Sequence, residues 1–140
     1  MQIALDTNVF IHIFNGQEKS EICYAAIASA LRNNDSCWLS ASAVTDIYYL
    51  VRKKLGREQA VSAISAILGM ARVFDVNERD VRTALGSAMN DFEDAVFVSA
   101  AKRNGADLIL TYNERDFAKA GLPSVTPDKY LEERARAAEQ

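Results

Sequence analysis

The sequence predicts an α/β fold: a three-layer α/β/α sandwich of Rossmann-like type, with a mostly parallel sheet of four or five strands covered on both faces. Three observations carry this. Short apolar runs alternate along the whole chain with segments whose apolar residues step by three and four. The helix expected from Asp91 to about Asn104 is stopped by Gly105 and followed at once by an apolar strand, so its first turn lies beside that strand's carboxyl end. The length, 140 residues, suits one domain, taken as 1–140, with its own core.

Gln2 to Leu5 is a short apolar run closing on Asp6 and reads as a buried strand. Thr7 and Asn8 are able to cap a short helix, Val9 to Phe14, that stops near Gly16. The alanine-rich stretch from Lys19 to about Asn33 is a helix by propensity, with Ile22, Ala26 and Leu31 on a common side. Asn33-Asn34-Asp35 is a turn and Cys37 to Ser40 a second strand. Ser42 is expected to cap the next helix, whose stripe is Val44, Ile47, Val51 and Leu55, with Gly56 ending it. Val61, Ile64 and Leu68 mark another helix, and Ala71 to Val76 a third strand. Asn77 caps a helix with Val81, Ala84, Leu85 and Ala88 on one face. Beyond the fourth strand, Leu122 to Thr126 reads as a short edge strand. A terminal helix starts from Pro127, a favoured first residue. There are no repeats, linkers or low-complexity segments.

Composition narrows the function. The chain is 49% hydrophobic and 25% charged, with no run long enough to span a membrane. Its start lacks the basic and apolar regions of a signal peptide, so a cytoplasmic location is expected. Cys23 and Cys37 match no metal spacing and read as reduced thiols. The net charge of −3 argues against a nucleic-acid coat protein but not against a nuclease built on acids. His12 is the single histidine, so mechanisms needing two imidazoles are excluded.

The acids carry the chemistry. Asp6 ends the first strand, and Asp46 stands early in the helix leaving the second. Asp91 and Asp94 open the helix entering the fourth strand, and Asp116 follows that strand. Four separate segments thus bring carboxylates to one sheet edge, where open α/β sheets place their sites. Crowded like charges repel unless a cation neutralises them. Oxygen-only donors suit hard cations, Mg²⁺ or Mn²⁺, which polarise phosphoryl oxygens and activate water. Each acid also has a plain structural reading as a helix cap, Asp91 and Asp116 above all. Competing folds fit less well. Asp6-Thr7-Asn8 is not the Asp-x-Asp of a haloacid-dehalogenase phosphatase. A response-regulator receiver would carry Asp after the third strand, where this chain has Asn77. No Gly-rich phosphate loop is present.

Leu5-Asp6-Thr7-Asn8, Ser40-Ala41-Ser42-Ala43-Val44-Thr45-Asp46, Asp91-Phe92-Glu93-Asp94-Ala95 and Thr111-Tyr112-Asn113-Glu114-Arg115-Asp116-Phe117 together resemble the PIN-domain family in order and spacing, over nearly the whole chain. The resemblance implies a metal-dependent endoribonuclease of the VapC toxin kind, cleaving RNA by metal-activated water with Mg²⁺ or Mn²⁺. It implies catalytic roles for Asp6, Asp46, Asp94 and Asp116, and metal ligation by Asp6, Asp94, Asp91 and Asp116. Asp46 stands where most members have Glu. Asn113 stands where many have Asp, leaving Asp116 or Asp91 to supply the charge. The resemblance further implies a homodimer and an antitoxin whose tail covers the acidic groove, an Arg of that tail pairing with the carboxylates.

Arg52, Lys53, Lys54 and Arg57 form the densest basic run. They read either as phosphate contacts beside the site or as a solvated helix end. Arg115 and Asn113 are further candidates for holding substrate. Tyr48, Tyr49 and Tyr112 read as base-stacking or as packing residues. Two other functions remain open at this level: a PIN-like module that binds RNA or protein without cutting, and a metal-dependent phosphohydrolase of small molecules.

Overall fold

The computed structural model describes residues 1–16 and 18–140. Five strands, β1 (Gln2–Leu5), β2 (Ser36–Ser40), β3 (Arg72–Phe74), β4 (Leu108–Leu110) and β5 (Ser124–Val125), lie in the order β3-β2-β1-β4-β5. Every pairing is parallel. The helices are α1 (Thr7–Asn15), α2 (Glu18–Arg32), α3 (Ala41–Leu55), α4 (Arg57–Leu68), α5 (Glu78–Leu85), α6 (Phe92–Arg103) and α7 (Pro127–Ala138), with a 3₁₀ turn at Glu114–Phe117. The chain steps outward from β1 through β2 to β3, then crosses back to build β4 and β5 on the other side of β1. The order therefore reverses between β1 and β4, and the carboxyl ends of those strands flank the crevice such a reversal leaves.

Side chains alternate across the strands and so divide the core by face. Ile3, Leu5, Cys37, Leu39, Leu108 and Leu110 pack with Val9, Phe10, Ile27, Ile47, Ile67 and Tyr130, from α1 to α4 and α7. Ala4 packs on the opposite face with Phe74, Ala100 and Ala101. Ile109 joins Val98, Phe117 and Ala120 there. Helices thus cover both faces, as expected, and the sheet has five strands. Cys23 and Cys37 are free buried thiols. Among the described residues no helix is long and apolar enough to cross a membrane.

Several expected faces are turned from their reading. In α2 the buried apolar positions are Cys23, Ala26, Ile27 and Ala30, an i, i+3, i+4, i+7 set, and Leu31 is exposed. The α3 stripe holds for Ile47 and Val51, which are buried with Ala43, and for Val44, which packs on the core, while Leu55 is exposed. In α4 the buried positions are Ala60, Ala63 and Ile67, while Val61 and Leu68 face out. The third strand is shorter than Ala71–Val76, and α5 buries Ala84 but not Val81 or Leu85. Ala88 lies beyond the end of α5. In α4 alanine fills the buried contact and the larger Val61 and Leu68 are left outside, whereas α2 and α3 bury Ile27 and Ile47 beside their alanines. Caps behave better. Asn77 forms a full capping box with Asp80, and Thr126 caps α7 ahead of Pro127. Ser42 is not the cap of α3. Ser40, the last residue of β2, accepts from the Ala43 amide at 3.2 Å, and Ser42 Oγ lies 3.1 Å from Ser40 Oγ.

Candidate active site

Asp6 follows β1 directly and stands at the N-cap position of α1, yet its side chain makes no cap bond. Its backbone amide donates to the Leu110 carbonyl at 3.0 Å, tying the end of β1 to the end of β4. Thr111, fully buried, donates its hydroxyl to Asp6 Oδ2 at 2.8 Å and accepts the Asn113 amide at 2.9 Å. The Asp6 carboxylate is therefore oriented from the neighbouring strand. Burial raises its pKa above the ordinary carboxylate value, the Thr111 hydrogen bond works against that rise, and the Asp116 charge adds to it.

Asp94 lies in the first turn of α6. Its pKa is pushed up to about 7, first by burial and then by the charges of Asp91, Asp6, Asp116 and Glu93. Asp91 is the N-cap of α6 and accepts the Asp94 amide at 2.9 Å. The structural reading of Asp91 is thus realised, and the same residue also walls the site.

One cavity of about 350 Å³ gathers Asp6, Asp46, Asp91, Asp94 and Asn113. No cation lines it, and Glu93, Asn8, Ser40 and Ser42 complete its polar wall. Asp46 reaches it from the second turn of α3. Asp116 stands outside, in an adjoining cavity of about 200 Å³ shared with Asp91 and Arg115. Its charge still acts on Asp6 and Asp94. Among the described residues no three acidic, histidine or cysteine side chains are already drawn together as an ion cage.

The basic run lies farther along α3. Arg52, Lys53 and Lys54 occupy its last turn and do not line the carboxylate cavity. Lys54 Nζ donates to Asn15 Oδ1 at 3.3 Å, and Arg57 opens α4. Tyr112 packs on the larger core, its ring meeting His12 edge-on at 5.1 Å with Lys19 Nζ 4.3 Å above it. Tyr48 and Tyr49 meet edge to face at 5.2 Å, and Tyr49 is exposed.

Thr111, Glu93, Ser40 and Ser42 are site residues that sequence reasoning did not single out. Ser40 ends a strand as Asp6 does, so the rule that found Asp6 also applies to it. Glu93 adjoins Asp94. Thr111 gives no such signal, because its role depends on a contact 105 residues away.

A family model described as PIN domain matches residues 2–115. The curated relative "Ribonuclease VapC1" of Aquifex aeolicus (strain VF5) is 23% identical over 137 residues, covering 94% of each chain. Among solved structures, VapC20 of Mycobacterium tuberculosis, described as a sarcin-ricin loop cleaving toxin, has a TM-score of 0.67 at 17% identity. It covers 88% of this chain and 98% of its own. A toxin-antitoxin complex from Klebsiella pneumoniae has a TM-score of 0.64 at 19% identity, covering 89% of this chain and 97% of its own. The matched family model spans β1 through the start of the 3₁₀ turn, which takes in Asp6, Asp46, Asp91, Asp94 and Asn113, and by that match the chain belongs to the PIN-domain family.

Proposed function

We propose that this protein is a divalent-metal-dependent endoribonuclease and the toxin of a toxin–antitoxin pair. The observation that carries the reading is Asp94, a carboxyl held at a pKa of about 7 by burial and four surrounding acids. Such crowding is costly for the bare protein and is relieved by a cation. The all-oxygen donor set fits Mg²⁺ or Mn²⁺. Mg²⁺ binds through one or two carboxylates and keeps several waters, so Asp6 and Asp94 suffice as protein donors. Asp6 and Asp94 would hold the ion, with Asp91 and Asp116 adding negative charge around it. When bound, the cation supplies Lewis-acid stabilisation of charge on the phosphoryl oxygens.

The chain's own groups do the positioning. Thr111 fixes the rotamer of Asp6, and the Asp91 cap fixes the first turn that carries Asp94. Asn113 presents a neutral amide at the cavity wall, able to donate to a phosphate oxygen without adding repulsion. Asp46 and Glu93 face the same space and, being acidic, repel a phosphate from that part of the wall.

The toxin role is supported by relatives described as a toxin and as a toxin-antitoxin complex. An antitoxin protein is the partner this proposal names. A homodimer belongs to it too, read by light scattering as twice the 15.4 kDa of the chain. An RNA target and two free buried thiols both fit the cytoplasm.

The test is cleavage of mixed single-stranded RNAs with Mg²⁺ or Mn²⁺, with chelator, and with Asp94→Asn. Cleavage that stops in chelator and in the variant is expected. Cleavage indifferent to both overturns the metal site, and binding without any cleavage makes the protein a non-cutting module. Toxicity on expression, relieved by a co-expressed neighbouring gene product, tests the toxin role.

A further inference from the structure

Asp91 walls more than the carboxylate cavity. That residue is shared with the adjoining cavity, whose other walls include Arg115, Met89 and Lys119. Met89 and Lys119 are shared in turn with a third cavity, of about 560 Å³, between α5, α6 and the segment after the 3₁₀ turn. Three cavities thus lie in succession, each sharing lining residues with the next. Their charge reverses along the way: the first has five acids and no cation, and the third has Arg79, Lys102, Arg103 and Lys119 against one acid, Asp80. That acid is already neutralised, since Arg103 Nη2 donates to it at 2.9 Å and Nε at 2.9 Å. Arg79, Lys102 and Lys119 make no ion pair among the described residues. Lys102 is also given room: its ammonium lies 2.6 Å from where a Cβ on Gly121 would sit, and Gly121 holds φ +75°. Met89, Ala95, Val98 and Ala120 supply the apolar part of this third cavity's lining.

We infer that this α5–α6 cleft holds the phosphodiester backbone of the RNA strand a few nucleotides from the bond that is cut. The inference rests on the ribonuclease reading above. Arg79, Lys102 and Lys119 are then positioning residues, gripping phosphates at a distance from an acidic centre that repels them. A row of cavities acidic at one end and basic at the other fixes where a polyanion sits: it can approach the carboxylates only once a cation is there, while its flanking phosphates remain held. Arg52, Lys53 and Lys54 at the end of α3 line none of the three cavities.

The test measures binding of fluorescein-labelled single-stranded RNAs of mixed sequence, twelve and three nucleotides long, by anisotropy in chelator across a salt series. Wild type is compared with the triple variant Arg79→Gln, Lys102→Gln, Lys119→Gln and with Arg52→Gln, Lys53→Gln, Lys54→Gln. The cleft triple is expected to lower the salt slope by about two, at roughly 0.7 per phosphate, which is about a hundredfold weaker binding of the long RNA at 0.1 M salt. Cleavage of the long RNA should lose kcat/KM, and cleavage of the short one should not. Unchanged melting checks the fold, and Lys119→Gln alone, with a slope change near 0.7, replaces the triple if melting moves. A slope that moves only in the α3 triple overturns the inference. So does a cleft triple that binds RNA normally but no longer binds polyglutamate, since the cleft then takes an acidic peptide. Wild type that neither binds nor cuts RNA overturns the ribonuclease reading itself.

Discussion

At the scale of single residues, Asp94 sets the pH behaviour. Its folded pKa, about 7, lies above the ordinary carboxylate value near 4. The sign follows from proton counting: between those values the folded state holds a proton that the unfolded state has lost. Asp94 therefore contributes stability that is full below about pH 4 and gone by the time pH has risen through 7. Asp94→Asn should flatten this decline in cation-free denaturation curves while abolishing cleavage by a hundredfold or more. The same titration governs the ion, because binding requires the carboxylate; affinity for Mn²⁺ should climb as pH rises through 7. Thr111→Val removes the hydroxyl that opposes the rise in Asp6, and should move the acid limb of the pH–rate profile upward, with a stability loss of about 1 kcal/mol. Asp6 and Asp94 were legible in the sequence as acids at a strand end and a helix start. Thr111 was not, since a hydroxyl declares its partner only once two strands are side by side.

At the scale of elements, the period of apolar residues located every helix but mistook several faces. In α4 the sequence shows two apolar series, Val61-Ile64-Leu68 and Ala60-Ala63-Ile67, and hydrophobicity favours the first. Packing against α3 selects the second, because alanines permit close approach. Burial reverses the expected sensitivities. Ala60→Leu should destabilise by about 1–3 kcal/mol through overpacking. Val61→Ser, on an exposed side chain, should change stability by no more than about 0.5 kcal/mol. Chemical denaturation ranks the two. The cap of α3 is a similar case. Ser40 and Ser42 both suit an N-cap, and helix propensity alone does not choose. The strand ends at Ser40, so the helix begins there, and Ser40→Ala should cost about 1 kcal/mol where Ser42→Ala costs less. Strand order, by contrast, was only partly legible: alternation of strands and helices predicts a parallel sheet, but nothing local says that β4 lies beside β1.

At the scale of the whole molecule, the two edges of the sheet treat charge in opposite ways. At the amino edge, just before β2, Asp35 is buried and charged. Burial favours its neutral form, but hydrogen bonds from the Met1 amino group and Tyr130 and the charge of Arg134 outweigh it and hold the pKa low. Asp35 therefore contributes stability above the ordinary carboxylate range that is lost as pH falls through its lowered value, the reverse of Asp94. With both in play, the cation-free protein should be most stable on the acid side of neutrality. Added Mg²⁺ or Mn²⁺ should raise the thermal midpoint more at pH 8 than at pH 5, by about 2.7 kcal/mol in free energy at a hundred times Kd. A midpoint that ignores the ion at both pH values would remove the carboxyl edge as its binding place.

The acid-lined edge has a consequence for how this chain changes under selection. The repulsion that Asp6, Asp91, Glu93 and Asp116 exert on Asp94 makes a neutral residue at position 94, or at an acid around it other than the α6 cap Asp91, a gain for the bare fold. A library screened only for heat resistance or soluble yield, without the ion, would enrich neutral replacements at these positions, and the recovered proteins would be sturdier and inert. Recurrent loss of acids there, and nowhere else on the surface, would trace the catalytic edge without any assay of catalysis.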